Sequence, residues 1–246
     1  MKTILVINPN CTESMTNCMR DTLSKCSPAD TVIDYYTCPP EGPASIESVT
    51  DAIRSANVVM SNLPEPKELE RKYSAFLVAC YSDHPLVHSL RECVHQPVLG
   101  IMQASILTAL SVGHRIGIVT TTKRYDNLLT DGVRAMGIDN TVFVGVETTG
   151  LTPLELESKS REVVEESLAQ CAKRLVQDGG ADVVCLGCAG MANMGDIVRK
   201  AVGDNVSVID GVIAGVHLLW ALVQMKVQTS KQGVYQSLRV NPFSRI

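Results

Sequence analysis

Two of the nine cysteines follow short apolar runs that have the composition of buried strands. Cys80 ends the run AFLVAC, and Cys188 follows Gly187 in the stretch ADVVCLGCAGM. A helix is predicted to begin after each thiol, and a helix N-terminus carries unpaired N–H groups and the positive end of the helix dipole. Such a setting lowers the pKa of a cysteine from about 8.5 and favours the thiolate, which acts as a base or nucleophile. Both thiols are therefore candidates for acid/base chemistry, and the alternative is that they are buried packing groups.

Other residues with reactive side chains fit known catalytic or metal patterns less well. Cys185 and Cys188 form a CxxC, but no second CxxC and no suitable histidine spacing accompany it, so Cys185 is predicted to lie in the core. His84 and His88 have helical spacing without an HExxH motif, and Asp83 is predicted to be an N-cap. The chain has no GxSxG, Walker or GxGxxG motif, which argues against serine hydrolysis and nucleotide cofactors.

Alternating apolar runs and helical segments must position the two thiols. Helices are predicted from near Ser45, from about Asp83, from Pro153 to about Gln177, and from about Asn193. Short apolar runs separated by segments of helical length are typical of parallel βαβ units, so the sequence predicts an α/β fold. The predicted strands are Ile4 to Ile7, Thr31 to Tyr36, Ala75 to Cys80, a short one around Val98, Ile116 to Val119, Thr141 to Val146, Asp182 to Leu186 and Val206 to Ile209.

A weak internal repeat predicts two similar lobes. The segment from Ile4 to Asn10 resembles the one from Ile116 to Thr122 at an offset of 112 residues, and Cys80 corresponds to Cys188 at an offset of 108. Lobe 1 is predicted to comprise residues 1–98 and 210–246, and lobe 2 residues 99–209. Polar side chains end the strands beside the thiol turns and are suited either to binding carbonyl or carboxylate oxygens or to capping helices. They are Asn8, Asn10, Thr120 and Thr121.

Composition and charge exclude several classes of partner. A formal net charge of −4 and an aromatic content of 4% give neither a basic surface nor stacking platforms for nucleic acid. No apolar stretch approaches the eighteen or so residues of a membrane span, and the apolar run near the N-terminus is too short for a signal peptide. We therefore expect a cytoplasmic protein with reduced cysteines, a small-molecule substrate, no nucleic-acid partner and no membrane association.

Several segments in order along the chain resemble the aspartate/glutamate/hydantoin racemase superfamily, and within it the hydantoin or allantoin racemase branch with its fungal members. The resemblance implies two α/β lobes related by a pseudo-twofold axis, an active site in the cleft between them, and neither cofactor nor metal. It also implies paired catalytic cysteines at Cys80 and Cys188, one removing a proton from the carbon alpha to a carbonyl and the other returning a proton on the opposite face. The matching segments are ILVINPN at 4–10, GPASIES at 42–48, VACYSDHPL at 78–86, IGIVTTT at 116–122, LGCAGM at 186–191, VIDGVIAGVHL at 208–218 and TSKQGVY at 229–235.

The resulting hypothesis is a cofactor-independent racemase of allantoin or 5-substituted hydantoins. The sequence is compatible with a homo-oligomer but does not determine the oligomeric state. A two-cysteine isomerase or a decarboxylase of a small diacid, an Asp/Glu racemase, and a non-catalytic small-molecule binding protein are the alternatives. Substrate contacts are expected from residues at the strand ends and thiol turns. These are Asn8, Pro9, Asn10, Tyr81, Ser82, Thr120, Thr121, Ala189 and Gly190.

Overall fold

The computed structural model describes residues 2–237, which divide into two compact units with one four-stranded sheet in each. The first unit comprises residues 2–80, 84–101 and 215–237 of this range, and the second comprises residues 81–83 and 102–214. Residues 238–246, which the sequence assigns to lobe 1, lie outside the described residues. No helix of the described part is both long and apolar enough to cross a membrane.

The first sheet is wholly parallel, with the strand order β2-β1-β3-β4. Helices connect its strands, as the alternating sequence pattern predicts. In chain order the elements are β1 (Lys2–Asn8), α1 (Glu13–Ser24), β2 (Thr31–Thr37), α2 (Val49–Asn62), α3 (Pro66–Lys72), β3 (Ala75–Val78), α4 (Pro85–Cys93) and β4 (Val98–Gly100).

The second sheet is also parallel, with the order β6-β5-β7-β8. A short 3₁₀ turn, Ala189–Met191, follows β7, and another, Gly233–Tyr235, lies near the end of the described chain. The remaining elements are α5 (Ile101–Val112), β5 (Ile116–Thr120), α6 (Arg124–Ala135), β6 (Phe143–Thr148), α7 (Glu155–Ser158), α8 (Arg161–Gln177), β7 (Val183–Leu186), α9 (Gly195–Val202), β8 (Ser207–Asp210) and α10 (Gly211–Gln224).

The internal repeat is visible in both topology and hydrogen bonding. Strands β1 to β4 occupy the same order in their sheet as β5 to β8 do in theirs. Ala79 donates its N–H to the carbonyl of Ile7 at 2.8 Å, and Gly187 donates to the carbonyl of Val119 at 2.7 Å. These bonds join equivalent strands one residue before each thiol. The α/β fold with two similar parallel-sheet lobes is confirmed.

The inner strands β3 and β7 are apolar because both of their faces are covered. All four residues of each strand are buried, as expected for parallel sheets flanked by helices. In the first unit Phe76 and Val78 pack in one cluster with Leu90 of α4. In the second unit Val184 and Leu168 of α8 share another cluster. Each thiol therefore follows a strand that is fixed by its own core.

Three predicted helix boundaries are wrong. The helix predicted from Pro153 to Gln177 is divided, because Lys159 and Ser160 are extended and Ser160 is the N-cap of α8. Helix α2 begins at Val49 rather than near Ser45, since the Ser48 hydroxyl accepts the N–H of Asp51 and caps the helix there. Helix α9 begins at Gly195 rather than at Asn193.

Candidate active site

The two candidate thiols occupy equivalent places in the two units. Cys80 lies two residues beyond Val78, the last residue of β3, and Cys188 lies two residues beyond Leu186, the last residue of β7. Cys80 is 9% exposed and Cys188 is half-buried. All nine cysteines fall within the described residues, and none forms a disulfide.

The predicted helix starts at the two thiols are wrong. Helix α4 begins at Pro85, and its N-cap is His84 rather than Asp83, because Nδ1 of His84 accepts the N–H of Leu86 at 3.2 Å. Cys188 is the N-cap of a 3₁₀ turn of only three residues. The effect of a helix dipole falls off within the first turn of a helix, so it does not act on Cys80 and is small at Cys188.

The turn that carries Cys188 is held by close backbone approach. Thr120, which is fully buried at the end of β5, donates its hydroxyl to the carbonyl of Gly187 at 2.7 Å. A Cβ at Gly187 would lie 2.7 Å from the carbonyl oxygen of Val119 and 2.7 Å from Cγ2 of Ile118, so only glycine fits. Thr120 thus positions the Cys188 turn, and its hydroxyl is already used within the protein.

Small residues line the turn immediately after Cys188. Ala189 and Gly190 are both buried, and a Cβ at Gly190 would lie 3.6 Å from Sγ of Cys188. Thr121, 2% exposed, accepts the N–H of Gly150 through its carbonyl at 3.0 Å. A side chain at Gly190 would therefore be in van der Waals contact with the sulfur of Cys188.

In the first unit, the loop after β1 is organised by two asparagines on either side of buried Pro9. Nδ2 of Asn8 donates to Oδ1 of Asn10 at 3.0 Å and to the hydroxyl of Thr16 at 3.0 Å, so this amide serves the loop itself. Nδ2 of Asn10 lies 3.3 Å from Sδ of Met15, which is a weak acceptor. Asn10 is therefore the better of the two for donating to a ligand.

Tyr81 and Cys185 belong to a buried network in the second unit. The Tyr81 hydroxyl lies 2.6 Å from Oγ of Ser105, which itself donates to the carbonyl of Met102 at 2.9 Å, so Tyr81 donates to Ser105. Burial raises the pKa of Tyr81 well above its usual value and raises the pKa of Cys185 to about 12. Both groups are therefore neutral near pH 7, and Cys185 is a core residue, as predicted. Ser82, next in the chain, is half-buried.

The histidines singled out in the sequence have structural partners. His84 is fully buried and places Nε2 3.0 Å from the Ser55 hydroxyl, while Nδ1 of His88 lies 2.9 Å from the hydroxyl of Tyr235. Among residues 2–237, no three His, Cys, Asp or Glu side chains are grouped so as to hold a metal ion.

Asp210 is the residue near the site that the sequence interpretation missed. Its Oδ1 accepts the N–H groups of Val212 at 2.8 Å and of Ile213 at 3.2 Å, which caps α10. The available signal was an Asp between a predicted strand and a predicted helix, which is an N-cap position. That signal identifies the cap but not its position beside the strand of Cys188.

Comparisons with known proteins agree with the fold described above. The family model for Asp/Glu/hydantoin racemase matches residues 4–219. The chain is 56% identical to an uncharacterized protein of Schizosaccharomyces pombe, over 96% of this chain and 98% of the other. It is 36% identical to a hydantoin racemase of a Pseudomonas species, over 95% of this chain and 90% of the other.

A solved structure also resembles the whole chain. It is the allantoin racemase of Pseudomonas fluorescens, with a TM-score of 0.87 and 30% sequence identity, covering 97% of this chain and 98% of the other. Both the family model and the relatives extend over the segments that carry the two thiols. The chain therefore belongs to the Asp/Glu/hydantoin racemase family.

Proposed function

We propose that this protein racemises a hydantoin-type ring, such as allantoin or a 5-substituted hydantoin, with Cys80 and Cys188 as its two acid/base groups. The observation that carries the proposal is the equivalent placement of the two thiols. Each stands two residues after an inner strand and directly follows a residue whose N–H bonds to the neighbouring strand. A duplicated fold that presents the same group twice is suited to a reaction that needs one such group on each face of a planar intermediate.

The reaction follows from the chemistry of the thiols. One cysteine, as the thiolate, removes the proton from the ring carbon alpha to a carbonyl, and the C–H electrons pass into the carbonyl to give an enolate. The other cysteine, as the thiol, then donates its proton to that carbon from the opposite face. The protonation states of the two cysteines are therefore reversed after each turnover. The proposal requires the two thiols to lie on opposite faces of the bound ring.

We assign the substrate contacts to groups that the protein does not already use. The amide of Asn10 can exchange its weak sulfur acceptor for a ring carbonyl. Ala189 and Gly190 leave room for the ring beside Cys188, because neither carries a side chain larger than a methyl group. The hydroxyls of Thr120 and Tyr81 are committed to Gly187 and Ser105, so their proposed roles are in positioning rather than contact. The hydantoin racemase and allantoin racemase relatives support this choice of ring.

The test is polarimetry of single enantiomers of allantoin and of aliphatic and aromatic 5-substituted hydantoins in deuterated water. Wild type should racemise at least one of them and incorporate solvent deuterium at the ring carbon. Cys80→Ser and Cys188→Ser should each lower kcat by at least about a hundredfold, since general acid–base catalysis contributes about 10² to 10⁴.

Cys26→Ser is the matched control for these variants. Sγ of Cys26 donates to the carbonyl of Thr22 at 3.3 Å, a bond that a serine hydroxyl also makes, so activity should stay within twofold of wild type. Full activity in Cys80→Ser, or racemisation without deuterium uptake, would refute the two-thiol mechanism.

A further inference from the structure

The carboxylate of Asp210, which has no part in the reaction proposed above, lies beside the strand that carries Cys188. Asp210 is the last residue of β8 and pairs in register with Leu186, the last residue of β7. Parallel strands are about 4.8 Å apart, and Cys188 follows Leu186 by two residues. Asp210 therefore stands at the base of the Cys188 turn.

Three backbone N–H groups from two separate segments bond to this carboxylate. Val212 and Ile213 donate to Oδ1 from the first turn of α10, at 2.8 and 3.2 Å. The N–H of Asn193, which follows the 3₁₀ turn after Cys188, also donates to the carboxylate. One side chain thus ties the end of the Cys188 turn to the start of α10.

The bond to Asn193 coincides with unusual backbone geometry. Asn193 has a φ of 71°, in the left-handed region where non-glycine residues are uncommon and asparagine is among the more tolerant. Such conformations persist where the surroundings fix them, and they concentrate at functional sites. The Cys188 turn is therefore fixed at both ends, by the Thr120 hydroxyl on Gly187 before the thiol and by Asp210 on Asn193 after it.

The equivalent register position of the other unit is Gly100, which carries no carboxylate. Val78 of β3 pairs with Gly100, the last residue of β4, just as Leu186 pairs with Asp210. Helix α5 begins directly after Gly100, as α10 begins directly after Asp210. Gly100 has no side chain that could hold a turn. The anchor is thus specific to Cys188 and is not a requirement of the repeated fold.

The electrostatic setting of Asp210 also indicates a role beyond capping. Burial raises the pKa of Asp210 above its usual range, and the N–H groups of Ile213, Val212 and Asn193 together with the charge of Arg199 only partly oppose this. Asp210 is half-buried, so solvent reaches part of the residue. Carboxyl groups perturbed in this way are more frequent at functional sites than elsewhere.

We propose that Asp210 is a positioning residue for Cys188, holding the turn that carries the thiol through the backbone N–H of Asn193. The inference rests on the proposed function only in taking Cys188 as a catalytic group. Asp210 acts through the turn and does not touch the reacting atoms.

The experiment compares Asp210→Asn with Asp182→Asn. An asparagine at 210 has no charge and only one side-chain oxygen to accept the three N–H groups that the carboxylate now accepts. Asp182 is a matched control, because Oδ1 accepts the N–H groups of His114 at 3.0 Å and Arg115 at 2.8 Å before the amino ends of β5 and β7. Both substitutions remove a charge that holds backbone N–H groups, and only one lies beside the Cys188 turn.

The readout is the rate at which iodoacetamide alkylates each thiol from about pH 6 to about pH 9.5, measured by peptide mapping. In Asp210→Asn we expect alkylation of Cys188 to accelerate at least threefold while Cys80 stays within twofold of wild type. Asp182→Asn should leave both thiols within twofold. With a racemised substrate, Asp210→Asn should lower kcat at least tenfold and change KM less than threefold. The proposal would be overturned by an unchanged alkylation rate at Cys188, by equal changes in rate at both thiols, or by the same change in rate in Asp182→Asn.

A measurement on wild type tests the anchor without any substitution. Hydrogen exchange by NMR should show the Asn193 amide exchanging at least tenfold more slowly than an unprotected amide. Exchange at the unprotected rate would overturn the proposal. Because alkylation and hydrogen exchange use no substrate, they test the placement of Cys188 separately from the racemase activity.

Discussion

Replacing either of two glycines that flank Cys188 with alanine should have different effects: one substitution should lower stability and the other should lower activity. A methyl group at Gly187 would lie 2.7 Å from Cγ2 of Ile118 and 2.7 Å from the backbone oxygen of Val119. A methyl group at Gly190 would have no neighbour closer than 3.5 Å but would lie 3.6 Å from Sγ of Cys188. The same substitution, glycine to alanine, thus meets a rigid strand at one position and the sulfur of Cys188 at the other.

Gly187→Ala should destabilise the protein, because rotating a side chain cannot relieve a clash with a backbone oxygen. The end of β7 must move away from β5, which lengthens the 2.7 Å bond from the Gly187 N–H to Val119. Overpacking of this kind costs about 2–3 kcal/mol. At about 2–4 °C per kcal/mol for a chain of this size, Tm should fall by about 4–12 °C. Differential scanning calorimetry measures the change.

Gly190→Ala should leave Tm within about 2 °C of wild type or raise it slightly, since alanine restricts the unfolded chain and Gly190 does not have positive φ. Under the racemase proposal its added methyl displaces substrate from Cys188, so kcat/KM should fall at least about tenfold, a loss of about 1.4 kcal/mol in transition-state stabilisation. A Gly187→Ala protein with wild-type Tm would refute the packing argument. A fully active Gly190→Ala protein would refute the placement of the substrate beside Gly190.

Three further predictions test the groups around the thiol turns. Thr120→Val removes the hydroxyl bound to the Gly187 carbonyl and should lower the free energy of unfolding by about 1–2 kcal/mol in urea titrations, so an unchanged value would contradict the role of that bond. Wild type should lose stability above about pH 10, because the unfolded chain ionises Tyr81 while burial keeps its pKa well above that value in the fold. The Tyr81→Phe protein also loses the bond to Ser105, but above pH 10 its free energy of unfolding should fall less steeply than that of wild type, by up to about 1.4 kcal/mol per pH unit. Equal slopes of unfolding free energy against pH in the two proteins would contradict the assignment. Burial raises the pKa of Cys38 to about 11, so iodoacetamide at pH 8 should alkylate Cys38 more than about a hundredfold more slowly than a free cysteine, and peptide mapping that shows comparable rates would contradict it.

The duplicated α/β architecture was predictable because its signals are local. Apolar runs of four to seven residues such as Ile4 to Ile7 and Val183 to Leu186, separated by helical segments, identify parallel strands without any knowledge of their neighbours. The nearly equal offsets of 112 and 108 residues showed the repeat. The same signals placed Cys80 and Cys188 at the carboxyl ends of buried strands, although β3 ends at Val78 and not at Cys80.

The starts of the helices after the thiols were not predictable from polar residues alone. Asp83 is a strong capping residue, yet the cap is His84, which Ser55 of α2 also holds at 3.0 Å. Cys188 is followed by a three-residue 3₁₀ turn, and the N–H of Asn193, just after this turn, bonds to Asp210. In both places a partner far along the chain decides the conformation, and local propensity is too weak to compete with it.

The sequence by itself determined the fold class, the repeat and the pair of cysteines, since each depends on residue types and on spacing along the chain. Only the tertiary structure decided what surrounds those cysteines. The Thr120 hydroxyl reaches Gly187 across 67 residues, and the Tyr81 hydroxyl reaches Ser105 across 24. Such contacts depend on which strands become neighbours, and that choice is made by packing over the whole sheet rather than by any one segment.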